Sequence, residues 1–143
     1  MKSLKDCLKP AGYSPFVSLA LLALRLVAGA AFILHGRGKI QHPFGWMGAD
    51  SSIPGFMQGL AALAEFGGGI AWVLGLLTPL ASLGILCTMS VAIYMTAVVM
   101  HLPFTGAAQS WELAAVYWGV ALLLLAAGPG RFALDRLVFG LRK

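Results

Sequence analysis

Long apolar stretches, separated by shorter polar segments, dominate the chain. They run over about residues 16–34, 56–77, 80–100 and 111–127. A helix of about 20 apolar residues crosses the hydrocarbon core of a bilayer, and each stretch approaches or reaches that length. The pattern therefore predicts an all-α integral membrane protein, a bundle of four transmembrane helices.

The connections between these stretches differ greatly in length. Leu77-Thr78-Pro79 barely allows a turn, so the second and third helices should form a tight antiparallel hairpin. The connection over 35–55 is long, and such a loop in a small protein is usually functional or packed over something. Beyond the fourth stretch, apolar residues recur at i, i+3, i+4 and i+7 and predict a short C-terminal amphipathic helix on the membrane surface: Leu134, Leu137, Val138 and Leu141.

Composition strengthens this picture. Of 143 residues, 59% are hydrophobic and 10% are charged, whereas about 25% of the residues in a soluble domain are charged. Residues 1–143 leave room for one domain only. The two cysteines, Cys7 and Cys87, have no disulfide or metal-ligand spacing, so we expect no metal site.

The positive charges indicate an orientation. The net charge of +5 arises mainly at the two ends of the chain, which favours membrane topology over nucleic-acid binding as its cause. We expect both termini to be cytoplasmic in a bacterial inner membrane. The first stretch is longer than the apolar region of a signal peptide and Arg25 interrupts it, so we expect it to remain as a span. The side with the termini carries Lys2, Lys5, Lys9, Arg131, Arg136, Arg142 and Lys143, against Arg37 and Lys39 on the other.

Two opposite charges fall inside the predicted spans. Charged residues within a bilayer are costly and usually face the bundle interior or a cavity. Counted from the outer surface, Arg25 lies about 15 Å deep and Glu65 about 13 Å deep, at 1.5 Å per residue. We therefore expect Arg25 and Glu65 to pair or to share a hydrogen-bond network. The pair would serve either as a structural clamp or as part of a functional site.

Helical spacing groups further residues into stripes. In the second helix Glu65, Gly69 and Trp72 share a face, and a separate face holds small residues at Gly67, Ala71 and Gly75. That small face would allow close helix contact within the chain or between two copies. We expect the stripes of the first three helices to meet in the bundle centre, including, on the third helix, Cys87, Ser90, Tyr94, Ala97 and His101.

Polar residues also gather toward the predicted outer surface, where they define a candidate site open to the outer leaflet. They are His35, Arg37 and Lys39 after the first helix, His101 at the end of the third, and Glu112 at the start of the fourth, together with Glu65. Alternatively, the basic residues are interfacial anchors and the histidines are ordinary interface residues. Haem ligation by two histidines is less favoured, because both lie at helix ends.

Several short segments together resemble the DoxX family. They are Leu-Arg-Leu-Val-Ala-Gly at 24–29, His-Gly-Arg-Gly-Lys at 35–39, Glu-Phe-Gly-Gly-Gly at 65–69, Leu-Gly-Leu-Leu-Thr-Pro at 74–79, His-Leu-Pro at 101–103, Trp-Glu-Leu at 111–113 and Gly-Pro-Gly-Arg-Phe-Ala-Leu-Asp at 128–135. The order and spacing of these segments over about 16–139 carry the resemblance. The family often has Ser where this chain has Ala133.

The resemblance implies a four-helix inner-membrane protein. Founding members of the family are associated with a thiosulfate:quinone oxidoreductase or a terminal oxidase, and others with complexes that handle oxidative or thiol stress. The resemblance also implies that six polar positions are characteristic: Arg25, His35, Lys39, Glu65, His101 and Glu112.

Our leading hypothesis is a small subunit of a membrane oxidoreductase system that binds a quinone through those six residues. His35, His101, Glu65 and Glu112 could donate and relay protons, and Arg25 or Lys39 could stabilise negative charge on the quinone. No residue is assigned as catalytic. The chain lacks a dinucleotide fingerprint and a Cys-x-x-Cys motif, so a protein partner would supply electrons.

Two other hypotheses remain open. The chain could be a non-enzymatic scaffold or anchor that recruits a redox protein, or a small proton-coupled transporter. Assembly into a homo-oligomer also stays open.

Overall fold

The computed structural model describes residues 12–106 and 109–140, and within them the chain is helical, with no strand. The helices, numbered here in chain order, are α1 (Pro15–Lys39), α2 (Gly55–Leu74), α3 (Thr78–Ile93), a π-helical segment (Tyr94–Val99) that continues α3, α4 (Glu112–Ala127) and α5 (Leu134–Phe139). The all-α prediction is confirmed.

Three of these helices are long and apolar enough to cross a membrane. They are α1 with 25 residues, α2 with 20, and α3 together with its π-helical segment, 22 residues in all. The apolar helix α4 has 16 residues, which is shorter than a full span. Several apolar helices fit a protein that crosses the membrane more than once, while the fourth span stays a prediction.

The ends of the helices follow from local sequence. The Ser14 side chain caps α1 by accepting from the backbone N–H of Val17, and Pro15 occupies the first turn. Gly75 ends α2 with a φ of 65°, and Leu77 follows with a φ of 50°, so the chain reverses at once into α3. This is the predicted hairpin. Helix α1, however, continues to Lys39 instead of ending near residue 34.

Helices α1 and α2 approach each other closely through glycines. A Cβ atom on Gly69 would lie 2.8 Å from the carbonyl oxygen of Gly29, and one on Gly36 would lie 2.6 Å from the backbone nitrogen of Phe66. Small residues therefore mediate a contact within the chain, as is common between membrane helices. Of the small stripe that the sequence suggested, Gly75 meets the Arg25 side chain of α1, whereas Gly67 does not face α1. Contact of this stripe with a second copy stays a prediction.

The core lies between α1, α2, α3 and α4. Phe32 and Trp72 pack edge to face with ring centroids 5.5 Å apart, and the Trp72 indole N–H donates to Ser82 Oγ over 3.0 Å. The buried residues of α3 are Thr78, Ser82, Ile85 and Met89.

The inward face predicted for α3 is therefore wrong. Cys87, Ser90, Tyr94 and His101 are exposed. Because α3 is apolar all round, its few polar residues gave no reliable direction. The wider π-helical turns at Tyr94–Val99 also change the direction of the residues that follow.

Candidate functional site

The antiparallel helices give the bundle two ends. The loop end carries residues 40–54, 100–106 and 109–111, and the termini end carries residues 12–14, 75–77 and 128–140. Buried charged residues lie toward both ends, and the two groups have different partners.

Toward the termini end, Arg25 is 1% exposed. Its guanidinium group donates to three backbone carbonyls: Trp72 over 2.9 Å, Pro129 over 2.5 Å and Phe132 over 3.0 Å. These bonds join α1 to the end of α2 and to the segment between α4 and α5. The predicted Arg25–Glu65 pair is therefore wrong.

The prediction that Arg25 and Glu65 lie at the same depth in the bundle failed for two reasons. Helix α1 ends at Lys39, so Arg25 lies about 14 residues, or about 21 Å, from the loop end. Side chains on a helix also lean toward its N-terminus. In antiparallel helices this moves Arg25 toward the termini end and Glu65 toward the loop end, so the two charges diverge.

Asp135 completes the group at the termini end. Its carboxylate is fully buried and accepts from the backbone N–H groups of Leu77 over 2.6 Å and Thr78 over 2.9 Å. The Asp135 N–H donates to the Gly75 carbonyl over 2.9 Å. We call Arg25, Gly75 and Asp135, with the backbone groups they bond, the clasp. The sequence predicted a surface helix in this region and assigned no buried role to Asp135.

The loop end contains the one side-chain ion pair that the described residues make with each other. Lys39 Nζ lies 2.6 Å from Glu65 Oε1, and the exposed fractions of the two side chains are 25% and 3%. The ammonium group also lies 4.3 Å from the centroid of the Trp46 ring, a favourable cation–π position. A buried carboxylate thus meets an ammonium group that remains open on one side.

A buried amide holds the long loop against this pair. The Gln58 side chain accepts from the Met47 N–H over 3.1 Å and donates to the Ile53 carbonyl over 2.8 Å. Its backbone carbonyl accepts from the Trp46 indole N–H over 3.0 Å. Sequence reasoning missed Gln58, although an amide in the first turns of an apolar helix is itself a signal of a buried polar contact.

The remaining predicted site residues lie on the surface of the loop end. His35, one turn before Lys39 on α1, is exposed, and its ring lies 6.5 Å from that of Tyr117. His101 and Glu112 are also exposed. Across residues 12–106 and 109–140, no hydrogen bond connects these three side chains to the Lys39–Glu65 pair. Of the six predicted residues, the structure thus joins Lys39 to Glu65 directly and places Arg25 elsewhere.

The loop-end arrangement is chemically versatile. A carboxylate with one ammonium partner can accept, hold or release a proton, and the Lys39 ammonium can donate a hydrogen bond to an oxygen that carries negative charge. The Trp46 ring and the ordered loop keep bulk water away from one side of the pair. The clasp lacks this freedom, because its charged groups are bonded to backbone atoms.

Comparisons with known proteins agree with one another. The family model described as DoxX matches residues 20–102, a range that contains Arg25, Lys39 and Glu65. The inner membrane protein YqjF of Escherichia coli strain K12 is 33% identical over 127 residues, which cover 84% of this chain and 92% of that protein. No solved structure has significant similarity to the chain.

Proposed function

This chain belongs to the DoxX family of membrane proteins, and from that premise we propose that it is a small subunit of a quinone-linked redox or thiol-stress complex, with a quinone bound at its loop end. The observation that supports this most is the Lys39–Glu65 pair, buried on one side and open on the other. Ionisable residues within membrane segments are functional candidates by default.

The residues at the loop end fit the chemistry of a quinone. When bound, a quinone accepts two electrons and two protons, and its two carbonyl oxygens require hydrogen-bond donors. Lys39 Nζ and the His35 ring supply donors, and Glu65 supplies a proton-exchanging group. Leu34, next to His35 in sequence, and Leu63, two positions before Glu65, are exposed on the outside of the bundle and offer apolar surface to an isoprenoid tail. Electrons would come from a protein partner.

We also propose four membrane spans with both termini in the cytoplasm, which places the loop end at the outer side of the membrane. Cys87 lies within the third span, and the test uses a C87A background so that Cys7 is the one native thiol left. In intact spheroplasts an impermeant thiol reagent should label S51C in the long loop and leave Cys7 unlabelled. The reverse pattern would place the quinone at the cytoplasmic side and contradict the proposed orientation.

A titration with a short-chain quinone analogue in nanodiscs tests the binding proposal. Trp46 is the expected reporter, because it contacts Lys39, whereas Trp72 is fully buried and bonded to Ser82. We expect low-micromolar binding that quenches Trp46 fluorescence, with W46F removing the signal. E65Q and H35Q, followed by competition with a labelled analogue, should weaken binding about 5–150-fold, the effect of about 1–3 kcal/mol.

R37Q is the matched control, because Arg37 is an exposed basic residue on the same helix, two positions from Lys39, and is not one of the six residues proposed to bind the quinone. Its affinity should stay at the wild-type level. The double variant K39M/E65L separates a site from a structural pair: it should keep its thermal stability, since apolar replacement of both partners is tolerated, and lose binding. Wild-type affinity in that variant, or the absence of binding to any quinone analogue, would reject the proposal.

One observation favours the scaffold as a second candidate. The long loop is held by Gln58 and yet displays Phe44, which is 71% exposed, and Met47. An ordered loop with outward apolar residues suits a partner protein. A photo-crosslinking residue at position 44 should then give one defined protein adduct in native membranes, and the same residue at Leu60 on the exposed side of α2 should give lipid adducts only.

A further inference from the structure

A groove of about 440 Å³ lies at the termini end, between α1, α2 and α5. Its walls are mostly apolar and include Leu22, Val73, Leu74 and Leu137. Arg131 and Arg136 line the same groove. The groove therefore combines a hydrocarbon-like lining with fixed positive charge.

The charges around the groove do not balance. Arg25, Arg131 and Arg136 line it, and Asp135, the acidic residue of α5, directs its carboxylate to the backbone of Leu77 and Thr78. The Nε atom of Arg131 is buried and has no hydrogen-bond partner in the described part of the chain. A buried donor without an acceptor is costly, so an anionic ligand in the groove would remove that cost.

The position of the groove suggests the source of the anion. On α5, Leu137 is 80% exposed and Val138 is also exposed. Exposed apolar residues on a short helix beside arginines are typical of a segment at the boundary between acyl chains and head groups. Basic pockets of this kind at the cytoplasmic side of membrane proteins bind anionic lipid head groups.

We infer that this groove binds one anionic phospholipid from the adjacent leaflet. Arg131 and Arg136 bind its phosphate, and Leu22, Leu74 and Leu137 contact the first carbons of its acyl chains. The inference is independent of the quinone proposal, because the groove lies at the opposite end of the bundle from Lys39 and Glu65.

Native mass spectrometry of the detergent-purified chain tests this. Phosphatidylglycerol and phosphatidylcholine with the same acyl chains are added in equal amounts, and the bound lipid is counted. We expect the wild-type chain to retain phosphatidylglycerol preferentially. R131Q/R136Q should reduce that preference about 25-fold, since each arginine near a lipid surface contributes about fivefold, or about 1 kcal/mol.

Three controls make the result decisive. R37Q removes the same charge at the loop end and should keep the preference. R136Q alone changes an exposed side chain, so it should fold normally. Its preference for phosphatidylglycerol should fall about fivefold. Inorganic phosphate at millimolar concentration should not displace the lipid. An unchanged preference in R131Q/R136Q, or displacement by inorganic phosphate, would overturn the inference.

Discussion

The two ends of the bundle use buried charge in opposite ways. At the termini end, the Arg25 guanidinium group is bonded to three backbone carbonyls and Asp135 is bonded to two backbone N–H groups. At the loop end, Lys39 and Glu65 are bonded to each other, and Lys39 keeps a quarter of its side chain exposed. The first arrangement fixes the positions of helices, and the second leaves charged groups available to a ligand.

The comparison shows that the partner of a buried charge is more informative than its depth. A fork of five N–H donors suits Arg for bridging several carbonyls, whereas the ammonium of Lys acts as a point charge that exchanges partners more easily. Both residues are basic and lie in the same helix. Their different partners indicate a structural role for Arg25 and are the reason that Lys39 is proposed as a site residue.

The largest effect should come from breaking the clasp at its centre. R25M leaves the carbonyls of Pro129 and Phe132 without their side-chain donor, and the Trp72 carbonyl with only the Gly75 N–H. We expect the free energy of unfolding to fall by about 3–5 kcal/mol, and the yield of folded protein to fall with it. Thermal unfolding in mild detergent measures this. The folded fraction of R25M should bind the quinone analogue with wild-type affinity. Weaker binding by that fraction would show that Arg25 belongs to the quinone site.

A smaller loss should follow at the other charge of the clasp. D135A removes the acceptor for the N–H groups of Leu77 and Thr78 at the start of α3. We expect the free energy of unfolding, measured by thermal unfolding, to fall by about 2–3 kcal/mol. D135N keeps one acceptor oxygen and should lose less than D135A. Equal stability of D135N and D135A would show that the cap does not depend on that oxygen.

At the loop end, a double-mutant cycle of K39M and E65L should show coupling. Each single variant leaves one charge without its partner, and we expect its free energy of unfolding to fall by about 1–2 kcal/mol. This loss is smaller than in the clasp variants because Lys39 is partly exposed. The double variant should unfold close to the wild-type temperature, so its loss of stability falls well below the sum of the two single losses. Strict additivity of the two losses in thermal unfolding would contradict direct pairing.

The smallest effect should come from the aromatic neighbour of the pair. W46F removes the indole N–H that donates to the Gln58 carbonyl and weakens the contact with Lys39. We expect the free energy of unfolding to fall by about 0.5–1 kcal/mol. Hydrogen exchange of residues 40–54 should increase more than that of α2. Equal increases in both would show that Trp46 does not hold the loop specifically.

The sequence predicted the helices well and their partners less well. Apolar length alone placed α2, α3 and α4 within a few residues, because a bilayer requires such length. The end of α1 was missed, since the run from His35 to Lys39 is polar and its helix is stabilised by a contact with Glu65 on another helix. The role of Asp135 depends on Leu77 and Thr78, about 57 positions earlier in the chain, and local spacing carries no signal of such a contact.

The clasp also sets an order of events during synthesis. Pro129 follows Arg25 by 104 residues and Phe132 follows it by 107. At about 5–20 residues per second, roughly 5–20 s pass between the synthesis of the guanidinium group and that of these acceptors. During that interval the Trp72 carbonyl, 47 residues after Arg25, is the one acceptor of the three already synthesised, so water or lipid head groups must solvate the remaining N–H groups. The clasp is therefore completed last, when the segment between α4 and α5 supplies its two carbonyls.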